Sequence, residues 1–150
     1  MESVLAFELA NSLHAPHEAR TMIAPLKDAI GEPVHADLTL LVSEIIGNSV
    51  RHAGLQEGQN IRVRIAYARG WARAEVVDGG RGFDPPPDVR PLAAAVSGYG
   101  LLLLSRLAVR WNAERTDDGM VVSFELTITD PTAAPARRPA ARSIGPRPRG

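Results

Sequence analysis

The segment Leu38-Thr-Leu-Leu-Val-Ser-Glu44-Ile-Ile-Gly-Asn48-Ser-Val-Arg51-His52-Ala-Gly54 sets the tightest limit on what this chain can fold into. Wound at about 3.6 residues per turn, it gathers Leu38, Val42, Ile45, Ile46 and Ser49 on one side. A stripe of that kind needs a core to lie on. Glu44, Asn48 and His52 fall at i, i+4 and i+8, one turn apart along a neighbouring edge. A carboxylate, an amide and an imidazole therefore line up beside an apolar face. The row reads either as a solvated polar edge or as the wall of a site, and the helix alone does not choose. The spacing predicts a helix from about His35 to Ala53, with Gly54 as its stop.

What the helix lies on is written in the alternating segments. Ile61, Val63, Ile65 and Tyr67 face one way, as do Ala72, Ala74 and Val76, and so do Met120, Val122, Phe124, Leu126 and Ile128. Period-two alternation predicts half-buried strands over 61–67, 71–77 and 120–129. Residues 4–9 read as a first strand and 109–115 as another, with a hairpin turn at Asp117-Asp118-Gly119. Ala19, Ile23, Leu26 and Ile30 recur at helical spacing after Pro16, which suits a first turn. Pro25 should kink or split that helix, and Gly31-Glu-Pro33 breaks it. Residues 79–97 form a long loop, with a short helix expected at 91–96, before an apolar helix over 101–108. Two or three helices among about five strands, with hairpin spacing late in the chain, predict an α+β fold. It would be a two-layer sandwich of a mostly antiparallel mixed sheet with helices on one face.

Composition bounds the chemistry. The chain has 150 residues and 45% hydrophobic side chains, enough for one domain with its own core. There is no cysteine, which removes a disulfide scaffold, a cysteine nucleophile and a thiolate zinc site. The four histidines, His14, His17, His35 and His52, form no HExxH pair. Glu2 and Glu8 interrupt the only segment placed to be a signal peptide. No apolar run approaches the ~20 residues of a membrane span, so a cytoplasmic protein without a membrane partner is expected. The overall charge of zero hides an asymmetry. Residues 1–130 hold all seventeen acidic and twelve basic residues, a net −5, whereas 131–150 hold five arginines and no acid, a net +5. The second stretch also contains five prolines and one sizeable apolar side chain, Ile144. Residues 1–130 are therefore expected to fold and 131–150 to form a disordered, Pro- and Arg-rich basic tail. Such a tail can touch nucleic acid or an acidic partner, but a solubilising extension is the reading preferred here. An acidic folded part argues against direct nucleic-acid binding.

Two glycine-rich strings join the helix. In Asp78-Gly-Gly80-Arg-Gly82 a carboxylate at a strand end stands beside glycines that let a backbone approach a flat ring. The carboxylate could accept a hydrogen bond from an exocyclic amine, and the same string also suits a plain acidic turn. Gly98-Tyr-Gly100 precedes an apolar helix, whose free N–H groups favour phosphate, or it is simply a hinge. Neither is a GxxxxGK[ST] loop or a GxGxxG fingerprint after a strand.

Taken together and in this order, Ser43-Glu44-Ile-Ile-Gly-Asn48-Ser-Val-Arg51-His52-Ala, Val77-Asp78-Gly-Gly80-Arg-Gly82-Phe83 and Gly98-Tyr-Gly100-Leu101-Leu102 resemble the GHKL superfamily of ATP-binding domains. Within it, they are most similar to the bacterial anti-sigma-factor serine/threonine kinases. The resemblance covers about residues 3–129 and implies the Bergerat-type ATP-binding fold, with ATP and Mg²⁺ as cofactors. It implies Asn48 as the Mg²⁺ ligand, a hard amide oxygen suited to that ion, and Glu44 as general base. It implies Asp78 on the adenine amine, Gly80 and Gly82 shaping the adenine pocket, and Gly98, Gly100 and Leu101 starting the phosphate-facing helix. Residues 83–97 become the ATP lid, and Arg51 and His52 lie near the phosphates. Gly47 stands where relatives often carry Thr or Ser, and Met120 where they often carry Thr.

The resemblance implies a regulatory kinase acting on an antagonist protein, with a sigma factor as the sequestered partner and a homodimer as the assembly. A nucleotide-gated binding module without phosphoryl transfer is the alternative from another class, in which ATP would order the lid and switch a protein surface. Retention of Glu44 favours the kinase. A histidine-kinase catalytic domain ranks third, since no helical hairpin with a phospho-accepting His precedes it in this sequence.

Overall fold

Alternation and register decide where the sheet lies. The computed structural model describes residues 1–52, 59–78, 98–117 and 119–129, with the backbone alone for 52, 98, 99 and 101. In chain order the elements are β1 (Ser3–Ala10), α1 (Ala15–Ile23), a 3₁₀ turn (Ala24–Leu26), α2 (Lys27–Ile30), α3 (Val34–His52), β2 (Asn60–Ala68), β3 (Trp71–Asp78), α4 (Gly98–Leu107), β4 (Arg110–Thr116) and β5 (Gly119–Thr127). The strands form one sheet in the order β1-β2-β3-β5-β4. All four pairings are antiparallel, so the expected mixed sheet has no parallel pair among the described strands. The fold is otherwise the α+β two-layer arrangement that the alternation predicts.

One face carries the core. Leu9, Ile61, Val63, Ile65, Ala74, Val76, Trp111, Ala113, Val122, Phe124 and Leu126 from the strands join Ala19, Ile23, Leu38, Val42, Ile45, Ile46 and Leu104 from the helices in one buried cluster. The predicted stripe of α3 is all buried, and Leu41 joins it. α3 packs on β3 and β5, α1 on β1 and α3, and α4 on α3 and β4. The opposite face carries Glu8, Arg62, Arg64, Arg73, Arg110, Asn112 and Glu114, all exposed. An antiparallel sheet tolerates this division because it needs covering on one side only.

Local chemistry fixes the joints. Pro25 has no N–H and would clash with the carbonyl four residues back. The predicted helix accordingly splits there, and the Lys27 N–H bonds the Ala24 carbonyl in a tightened turn. The Ile23 carbonyl takes the His35 imidazole Nε2–H at 3.1 Å, tying the end of α1 to the start of α3. Gly70 closes the β2–β3 hairpin at φ +92°, a backbone conformation that costs other residues a Cβ clash.

Candidate functional site

Register brings three separated pieces of the chain to one end of the sheet. Asp78 ends β3, paired with Ile61 at the start of β2 and Met120 at the start of β5. Residues 53–59 alone join the end of α3 to β2, so the C-terminal half of α3 lies at that same end. α4 is placed from its other terminus. Val109, just past α4, donates its N–H to the Glu125 carbonyl at 2.9 Å, and Arg110 pairs with Glu125 at the opposite end of the sheet. Ten helical residues run back about 15 Å along the sheet, which returns the Gly98–Gly100 turn to the Asp78 end.

Burial singles out the same region. Among the described residues the buried polar or charged side chains are Ser43, Asn48 and Ser49 on α3 and Asp78 on β3, at 8, 2, 7 and 6% exposure. Burying polar groups costs free energy unless each finds a partner. Three of the four bond within the fold. Ser43 Oγ donates to the Leu40 carbonyl at 3.1 Å, a back-bond that helices permit. Asp78 Oδ1 accepts the Met120 N–H at 3.3 Å. Period two puts Asp78 on the face of Ala72, Ala74 and Val76, the face that α3 covers, and the Met120 contact fixes the rotation of the carboxylate.

Asn48 Oδ1 accepts from Arg51 Nη2 at 3.2 Å. The Arg51 guanidinium lies along the helix over Gly47: a Cβ placed on Gly47 would sit 3.5, 3.7 and 3.8 Å from Nη2, Nη1 and Cζ. Glu44 is half-buried one turn before Asn48. The donor set fits a hard divalent cation held mainly by phosphate and water. Asn48 offers one buried amide oxygen, and among the described residues no group of three or more His, Asp or Glu side chains could hold a metal by itself.

Of the sequence-predicted residues, Glu44, Asn48, Arg51 and Asp78 are thus gathered at one end of the two layers. His52 is the last residue of α3. Gly98 and Gly100 lie inside the first turn of α4, which begins three residues before the expected Leu101. A first turn has no intrahelical use for its N–H groups, so glycine there forfeits little. Gly80, Gly82, the expected 83–97 lid with its short helix, Gly54 and the 131–150 tail lie outside the described residues. Sequence reasoning missed the Met120 N–H on Asp78 and the Arg51–Asn48 contact. The first depends on strand register, which only pairing reveals. The i, i+3 spacing of the second was a usable signal.

The fold is that of an α+β domain with one five-stranded antiparallel sheet and a cluster of buried polar side chains at one sheet end. The model of the histidine kinase-like ATPase domain matches residues 10–126, and the chain belongs to that family. This is the ATP-binding, kinase-like superfamily that the motif order resembles. Among solved structures the chain is similar to the histidine kinase domain of the blue-light activated histidine kinase from Erythrobacter litoralis EL346, at 19% identity and a TM-score of 0.46 over 75% of this chain. The chain covers 60% of the length of that structure. No match was found among curated proteins.

Proposed function

We propose that the protein binds ATP with Mg²⁺ and passes the γ-phosphoryl group to a serine or threonine of a small antagonist protein, like the anti-sigma-factor kinases its motifs resemble. The observation that carries the nucleotide reading is the burial of Asn48 and Asp78 at the sheet end where the first turn of α4 arrives. Asp78 would accept the adenine amine through the oxygen not turned to Met120, with Gly80 and Gly82 beside the ring. The N–H groups at the start of α4, from Gly98 through Leu101, favour phosphate, and Arg51 and His52 at the end of α3 would serve beside it. Asn48 would hold Mg²⁺, and that ion supplies positive charge against the phosphates and the transferred group.

The half-buried carboxylate of Glu44, one turn from Asn48, supports transfer over mere binding. Glu44 would take the proton of the substrate hydroxyl. The hydroxyl oxygen bonds to the γ-phosphorus while the bridging β–γ oxygen bond breaks and its electron pair leaves with ADP. A sigma factor as the sequestered partner, a homodimer and a cytoplasmic setting without membrane or nucleic-acid contact complete the proposal. Among the described residues no helix is long and apolar enough to cross a membrane.

The test is transfer of label from γ-labelled ATP to proteins of a cell extract, wild type against Glu44→Ala. Acid-stable label on a small protein, falling about 10²–10⁴-fold in the variant while ATP binding stays within a few-fold, is the expected result. Acid-labile label would identify histidine as the acceptor. No transfer by the wild type, with ATP binding intact, would leave the nucleotide-gated binding module.

A further inference from the structure

A cation already sits on the amide oxygen that a metal would take. The Arg51 guanidinium reaches Asn48 Oδ1 at 3.2 Å, and it does so by lying flat over Gly47. Helical side chains lean toward the N-terminus, so a residue three positions on is well placed to fold back onto Asn48. The glycine at position 47 leaves room above the helix backbone for the planar group. A β-branched side chain there would crowd the guanidinium, since the Cβ alone already comes within 3.5 Å of it. Among the described residues the guanidinium has no other partner. Arg51 is exposed, and among the described residues the ion pairs are His35–Glu32 and Arg64–Glu2, neither of which involves it. An arginine without a carboxylate is well suited to bind phosphate oxygens, which its fork matches.

We propose that Arg51 and Mg²⁺ compete for the Asn48 oxygen. Arg51 holds that oxygen and fixes the amide in place. When the metal–nucleotide complex arrives, repulsion between two cations at one oxygen displaces the guanidinium, which turns to the polyphosphate. Arg51 thus acts as a positioning residue with two seats, Asn48 and phosphate, and it makes nucleotide binding less dependent on metal than Asn48 alone would. This inference rests on the nucleotide reading above.

The experiment is ATP calorimetry in EDTA and in excess Mg²⁺ for wild type, Arg51→Gln and Arg51→Lys, after the melting temperature has shown each variant folded. Because Arg51 is exposed, folding should survive. In EDTA, Arg51→Gln should weaken ATP by about ten- to a hundredfold, the range for one charge-assisted contact. In Mg²⁺ the loss should stay within about threefold, because there the wild-type guanidinium must give up Asn48 to reach phosphate, whereas in EDTA its fork can keep both. The gain in affinity on adding Mg²⁺ should therefore be larger in the variant than in the wild type. Arg51→Lys, a point charge without the fork, should recover part of the EDTA affinity. Equal losses under both conditions would overturn the competition, since Arg51 would then touch phosphate only. No loss under either would remove Arg51 from the site. Failure of the wild type to bind ATP under any condition would instead sink the nucleotide reading.

Discussion

Asp78 shows how much one backbone contact can decide. Its Oδ1 is held by the Met120 N–H, so the two carboxylate oxygens are no longer equivalent. In Asp78→Asn the amide oxygen keeps the Met120 N–H and the new NH₂ takes the other position. An NH₂ there would face the adenine amine, donor against donor. ATP affinity should drop by about 1–3 kcal/mol, the cost of a buried unpaired donor, with little change in fold stability. Calorimetry that finds the affinity unchanged would remove Asp78 from adenine recognition. Asn48 is different in kind. Its oxygen would serve the bound metal before any chemistry, so Asn48→Ala should abolish most of the Mg²⁺-dependent gain in ATP affinity, whereas Glu44→Ala should spare it. Titrating Mg²⁺ at fixed ATP distinguishes the two, and equal sensitivity of both variants would mean that the assignment of separate roles is wrong.

At the scale of the element, α3 is built to be positioned rather than to be stable on its own. Gly47 sits in mid-helix, where glycine costs about 1 kcal/mol relative to alanine. The nearest atoms that an added Cβ would meet are those of the Arg51 guanidinium, at ordinary van der Waals distance, 3.5 Å or more. Gly47→Ala should therefore raise the melting temperature by about 2–5 °C, as read by thermal unfolding. A fall would mean that the backbone at this point needs something only glycine gives. The other end of α3 depends on His35. Its Nε2–H on the Ile23 carbonyl joins two helices that the Pro25 break would otherwise leave loosely connected. His35→Ala should lose about 1 kcal/mol of stability, measured by urea titration, without touching nucleotide affinity.

For the whole molecule, one layer of helices covers one face of one sheet, and Phe124 lies fully buried in the core between them. Phe124→Ala should cost about 3–5 kcal/mol, a large share of the roughly 5–15 kcal/mol that holds a domain together. The bare face survives because its rows are charge-patterned across the strands. Register sets Glu8 beside Arg62, Arg64 beside Glu75, and Glu125 between Arg73 and Arg110. Opposite charges on neighbouring strands favour this register, and charges on the open face oppose stacking of one sheet on another. The Pro- and Arg-rich stretch 131–150 has almost nothing to add to that core. Its deletion should leave the melting temperature and ATP affinity nearly unchanged, and a loss of several degrees would show that its +5 charge docks on the −5 domain.

The sequence by itself determined which faces are buried. Period two in 61–67, 71–77 and 120–129 and the stripe from Leu38 to Ser49 are properties of neighbouring residues, and burial follows them almost side chain by side chain. Pro25 and the Asp117–Gly119 turn were equally legible, since they act through their own backbone. The row Glu44, Asn48, His52 could be read as a row, but not as a site, because a polar edge looks the same whether water or a ligand covers it. Only the tertiary structure decided that Asn48 is 2% exposed and that Asp78, thirty residues on, lies at the same end of the sheet. That depends on strand order and register, which are set by distant pairings. The orientation of the Asp78 carboxylate is a further step removed, since it depends on the Met120 N–H, forty-two residues along the chain.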